Sequence, residues 1–173
     1  MHYKLTAILM AVIGVGALGV AQDNKPSPAA TADVTLAGKQ ISINYSRPSM
    51  RGRKIMGELV PYGQVWRTGA NEATTLKTPV DLKIGNTNVP AGEYTLWTLP
   101  GESTWKLIVN KQTGQWGTDY SADKDLARID MQKSSLTQTV EQFTISWDKK
   151  AENRADLVLA WEKTRVWVPV EAK

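Results

Sequence analysis

Apolar and polar residues alternate with a period of two along most of the chain beyond residue 33, the spacing of strands that bury one face. Val34 and Leu36 lead to a turn at Ala37-Gly38. Ile41, Ile43 and Tyr45 then alternate with Gln40, Ser42 and Asn44, and the pair predicts a hairpin. Further alternating runs cover 73–78, 80–84, 93–99 and 105–109, with turn signals at Gly85-Asn86, Pro90-Ala91-Gly92 and Pro100-Gly101. Phe143, Ile145 and Trp147 form a late stripe, Leu157, Leu159 and Trp161 another, and Val166, Val168 and Val170 a third. Only 120–131 has residues for much helix, and its part at 128–131 reads equally as strand. About eight or nine strands without strand–helix alternation predict an all-β fold, an antiparallel β-sandwich or jelly roll with at most one short helix.

The alternation fails between Tyr45 and Ala73. A gap of some twenty-five residues is long for a compact domain and marks a functional loop or a small packed unit. Ile55, Met56, Leu59, Val60, Tyr62, Val65 and Trp66 supply apolar contacts there. The stretch at about 47–72 is therefore expected to be a long ordered crossover lying over one end of the strands.

Composition bears first on compartment. Lys4 precedes an uncharged apolar run over 5–20, and the small residues Gly19 and Ala21 stand before Gln22. Residues 1–21 read as a secretory signal peptide cleaved after Ala21. The run is shorter than the roughly 20 residues that span a bilayer, so no membrane span is expected after cleavage. Residues 22–32 read as a flexible leader and 33–171 as a single β domain. The expected location is outside the cytoplasm, periplasmic or extracellular.

Absences narrow the chemistry further. The chain has no Cys, and its one His, His2, departs with the signal peptide. The processed protein then has no thiol nucleophile, no disulfide, no imidazole base and no His- or Cys-based zinc site. No cofactor is expected, and binding is favoured over enzymatic activity.

Charge is concentrated in the crossover. Arg47, Arg51, Arg53 and Lys54 are basic in a chain whose net charge is only +4. Arg67, Asn71 and Glu72 follow Trp66 around a turn at Thr68-Gly69. A guanidinium presents a planar fork suited to carboxylate or phosphate, while Asn and Glu suit hydroxyl groups. Arg51, Arg53, Lys54, Arg67, Asn71 and Glu72 are thus the candidate ligand-binding set, for an anionic glycan or a small carboxylate or phosphate compound. The competing reading has Glu58 and Glu72 neutralise Arg47, Arg53 or Arg67 in an internal network. Nucleic acid is rejected as a partner, since domains that grip phosphate backbones are basic overall. The oligomeric state is not legible.

Seven Trp against one Phe is an unusual ratio. Trp147 and Trp161 continue core stripes. Trp97, Trp116 and Trp167 have polar neighbours and read either as sugar-stacking rings or as cover for buried surface. Glu58 with Glu72 could be nominated for a carboxylate-based hydrolase. Asp119, Asp123 and Asp125 lack the spacing of a calcium loop and read as an acidic turn beside Lys124.

The block from Tyr45 to Thr74 resembles the signature of a bacterial family, domain of unknown function 2911 (DUF2911). Residues 90–97, 110–111, 115–117, 141–145 and 157–162 are similar to its pattern as well, so the likeness spans about 33–170. The resemblance implies an exported all-β domain found mainly in Gram-negative bacteria, and carries over no activity and no site residues. The residues point to an exported, non-enzymatic ligand-binding or interaction module. A carbohydrate hydrolase and a structural envelope protein without a small ligand are the alternatives.

Overall fold

The computed structural model describes residues 26–173. The expected signal peptide and cleavage site, and residues 22–25 of the expected leader, lie outside the described residues. The alternating runs form strands β1 (Ala29–Leu36), β2 (Lys39–Ser46), β3 (Thr75–Thr78), β4 (Leu82–Ile84), β5 (Thr87–Val89), β6 (Gly92–Leu99), β7 (Trp105–Asn110), β8 (Asp125–Lys149) and β9 (Arg154–Ala172). β1 therefore takes in Ala29 to Ala32, which the composition had suggested were leader. The only helical piece among the described residues is a single 3-10 turn, Ala122–Lys124, and 128–131 is strand.

The all-β antiparallel class is as expected. All nine strands join one hydrogen-bonded sheet in the order β1-β2-β3-β6-β7-β8-β9-β4-β5. β8 serves two partners in succession, pairing with β7 over Asp125 to Met131 and with β9 from Gln132 onward. Register shifts between Ser135 and Val140 and between Val140 and Thr144 break the β8–β9 ladder. Such bulges bend a strand pair.

Past the bend, the β8 edge that faced β7 has no strand ladder, and β1, β2 and the start of the crossover meet it. The backbone of Phe143 bonds out at both ends, its N–H to Pro48 O at 2.9 Å and its carbonyl accepting from Arg47 Nε at 3.0 Å. Ile145 is satisfied by one phenol: Tyr45 Oη accepts from its N–H at 3.0 Å and donates to its carbonyl at 3.3 Å. Trp147 Nε1 reaches Ala32 O at 3.2 Å, and Lys149 Nζ reaches Thr35 O at 3.0 Å. The sheet curls on itself, and side chains close the gap.

The curl encloses one main core. The predicted stripes deliver Ile41, Ile43, Leu107, Ile145, Leu157, Leu159, Val166, Val168 and Val170, all buried. At its crossover end lies an aromatic cluster. Trp66 meets Phe143 edge-on at 5.0 Å and stacks on Trp161 at 5.8 Å, while Phe143 meets Tyr45 edge-on at 5.8 Å. A smaller cluster of Ala73, Trp97 and Ile108 is covered by Val65, Leu99 and Tyr120.

That second cluster takes in one of the three polar-flanked tryptophans. Trp97 is core, 3% exposed, with its Nε1 donating to Thr95 Oγ1. Trp116, at 46%, is exposed. Trp167 is half-buried under the Arg165 guanidinium, 4.5 Å from its ring.

Beside the small cluster, Asp125 collects a polar network in place of a metal site. Tyr120 Oη donates to Asp125 Oδ2 at 2.7 Å, Arg128 Nε donates to the same oxygen at 2.9 Å, and Asn110 Nδ2 donates to Oδ1 at 2.9 Å. Among the described residues no group of three or more potential ligating side chains could hold a metal ion. Burial, then the hydrogen bond to Asp125 and its charge, raise the Tyr120 pKa above its ordinary 10.0, with Arg128 opposing. A raised pKa means that the folded state prefers the neutral phenol. Its stabilising contribution is complete below about pH 10 and is lost as pH climbs through the raised value. We expect the urea midpoint to fall above about pH 10, and to fall less in Tyr120→Phe, with chemical denaturation followed by tryptophan fluorescence as the readout.

Candidate arginine cleft on the crossover

The crossover is ordered by its own apolar residues, as its composition suggested. Ile55 and Val60 are fully buried, Met56 nearly so, and Val60 N–H closes a turn onto Ile55 O at 2.9 Å. Met56 N–H donates to Glu162 Oε2 at 3.0 Å, tying the turn to β9. Trp66 and Thr98 exchange backbone hydrogen bonds at 2.8 and 3.0 Å. Leu59 alone of the crossover's large apolar residues is exposed, at 43%.

Arg51 and Arg53 are placed by a tight turn. Arg53 N–H bonds to Met50 O at 3.0 Å, and the central residues Arg51 and Gly52 have φ of +51° and +73°. Two successive positive φ values are the mark of a type I′ turn, an uncommon conformation for a non-glycine residue. It is held by Glu141 Oε1, which accepts from Arg51 N–H at 2.9 Å. The Arg53 guanidinium is oriented by two carbonyls, Nε to Met50 O at 2.9 Å and Nη2 to Ser49 O at 2.8 Å. Arg51 Nη2 donates to Pro26 O at 3.0 Å. Carbonyl oxygens aim these groups without neutralising them.

Arg67 approaches from the other half of the crossover. No hydrogen bond or ion pair joins its guanidinium to another described residue. Gly69 follows with φ of +151°. A Cβ there would sit 3.0 Å from Ser46 O and 3.1 Å from Thr74 Oγ1, so only glycine lets the chain pass this close to β2.

Arg51, Arg53 and Arg67 line one cleft of about 280 Å³, together with Pro48, Leu59, Trp66 and Trp161. No acidic residue lines it. Three arginines lining a cleft with no acidic lining residue favour an anion, since a guanidinium has a donor geometry matched to an oxyanion.

The other three candidates lie elsewhere. Lys54 pairs with Glu58 at 3.4 Å on the exposed surface, the i,i+4 spacing of a solvated pair. Asn71 faces the chain start, its Nδ2 donating to Ser27 O at 3.1 Å, while its carbonyl accepts from Gly117 N–H at 2.9 Å. Glu72 lines a different concavity, of about 440 Å³, with Thr31, Asn44 and Thr75. Nor do Glu58 and Glu72 line a common cleft, as a pair of hydrolytic carboxylates would. Arg47, expected within an acidic network, bonds to Phe143 O and to Thr144 Oγ1 at 2.7 Å. Leu59 and Pro48 were not among the candidates; an apolar residue gives no chemical signal in sequence until its exposure is known.

The crossover, the curled sheet and all three arginines fall inside one family match. The family described as Protein of unknown function (DUF2911) matches residues 27–170. The chain belongs to this family. No curated protein and no solved structure matches it. The DUF2911 match begins at Ser27, whose carbonyl holds Asn71, so it takes in nearly the whole cleft.

Proposed function

We propose that this DUF2911 domain is an exported, non-enzymatic binding module for a small anion carrying a carboxylate or phosphate group. The observation that carries the reading is the set of Arg51, Arg53 and Arg67 around one cleft without an acidic lining residue. Buried or half-buried guanidinium groups are normally matched by carboxylates within the protein. Arg67 is half-buried and is matched by no described residue, while the exposed Arg51 and Arg53 are held by carbonyls alone. An oxyanion from solution supplies the missing charge.

Binding of this kind stabilises the folded state by mass action. In a thermal-shift series at constant ionic strength, sulfate, phosphate and small carboxylates are expected to raise the melting temperature of the wild type. Arg53→Ala is expected to abolish the rise, and Lys54→Ala, outside the cleft, to keep it. Equal responses in both variants would point to non-specific salt effects and against the site. Because sulfate stays fully ionised and the processed chain has no imidazole, its effect should be level between about pH 6 and 8.

A further inference from the structure

The arginine cleft is lined by two unlike kinds of residue. Its lining residues include the cationic Arg51, Arg53 and Arg67 and the apolar Pro48, Leu59 and Trp66. Leu59 is 43% exposed, and besides Trp116 it is the only large apolar side chain so exposed among the described residues. A solvent-facing leucine is ordinary by itself, but this one forms part of the wall of a charged concavity. The cleft is also short of acceptors. No Asp, Glu, Asn or Gln lines it, and its side-chain hydroxyls are those of Ser27 and Ser49. Guanidinium groups only donate, so a sugar bound here would leave most of its hydroxyl protons without partners.

We infer that the cleft takes an amphipathic anion: a phosphate or carboxylate group on the three arginines, and an aryl or short alkyl body against Leu59, Pro48 and Trp66. The inference rests on the anion-binding reading above and narrows it away from glycans. Size agrees, because about 280 Å³ lies at the low end of ligand pockets and suits one ring or a short chain beside the anion.

Calorimetric titration of the protein with inorganic phosphate, phenyl phosphate and glucose 1-phosphate tests this. Near pH 8 all three are mainly dianions, and only the attached body differs. Phenyl phosphate is expected to bind at least about tenfold tighter than either of the others, since burying a ring contributes on that order. Leu59→Ser should reduce that advantage several-fold and leave inorganic phosphate unaffected, while Leu59→Met should preserve it. Parity between phenyl phosphate and inorganic phosphate, equal or tighter binding of glucose 1-phosphate, or an unchanged advantage in Leu59→Ser would overturn the inference and leave the anion site standing. If none of the three binds, the anion-binding reading falls with it.

Discussion

Tyr45→Phe is expected to lower the stability of the domain by about 2–5 kcal/mol, although it removes one oxygen atom. That oxygen stands in for a neighbouring strand, accepting from Ile145 N–H and donating to Ile145 O. Tyr45 is 7% exposed and Ile145 3%, so water does not readily replace it. Each buried group left without a partner costs about 1–3 kcal/mol, and the substitution leaves two. For a domain of this size the melting temperature should drop by roughly 5–15 °C. Tyr62→Phe, whose hydroxyl bonds to no described residue, is the control and should shift it little. A Tyr45→Phe variant as stable as the wild type would mean that the β8 edge is closed by something other than this phenol.

Arg67→Ala is expected to do the reverse, leaving stability nearly unchanged and removing anion binding. The side chain makes no hydrogen bond or ion pair with the described residues, so little in the folded protein depends on its charge. A charge-assisted hydrogen bond to a ligand contributes about 1.5–3 kcal/mol, which corresponds to a loss of roughly 10- to 100-fold in affinity. Arg51→Ala and Arg53→Ala should lose affinity and some stability together, because their guanidiniums also bond to Pro26, Met50 and Ser49 carbonyls. Added salt should weaken sulfate binding progressively, as screening requires. Should Arg67→Ala destabilise the domain strongly with no effect on anions, the crossover charges would be structural, as in the envelope-protein alternative.

The strands and the crossover were legible because period-two alternation records which face is buried, and Ile55, Val60 and Trp66 betrayed an ordered loop. The residues of the candidate cleft were legible in part. Arg51, Arg53 and Arg67 line one cleft, whereas Asn71 and Glu72, only four and five residues beyond Arg67, do not line it. The cause is local backbone: Thr68, Gly69 and Asn71 have φ of +54°, +151° and +58°, and that run of left-handed turns sends successive side chains in different directions. Sequence proximity is a poor guide through such a segment. Trp97 takes the second of its two readings, cover for buried surface. Its strand is buried on both faces because Val65 of the crossover and Tyr120 of a distant loop cover the outer one. The bend in β8 also escaped notice, since the bulges that make it interrupt the ladder without interrupting the apolar stripe.

The central claim is that three arginines from two halves of the crossover converge to hold an anion. Crystals of the protein soaked in selenate would test it most directly, because the anomalous signal of selenium locates the anion without assumption. The account predicts a peak in the cleft within hydrogen-bonding distance of the Arg67 guanidinium and of at least one of Arg51 and Arg53. Selenate found only at scattered surface lysines, with the cleft free of it at concentrations that fill those sites, would contradict the account.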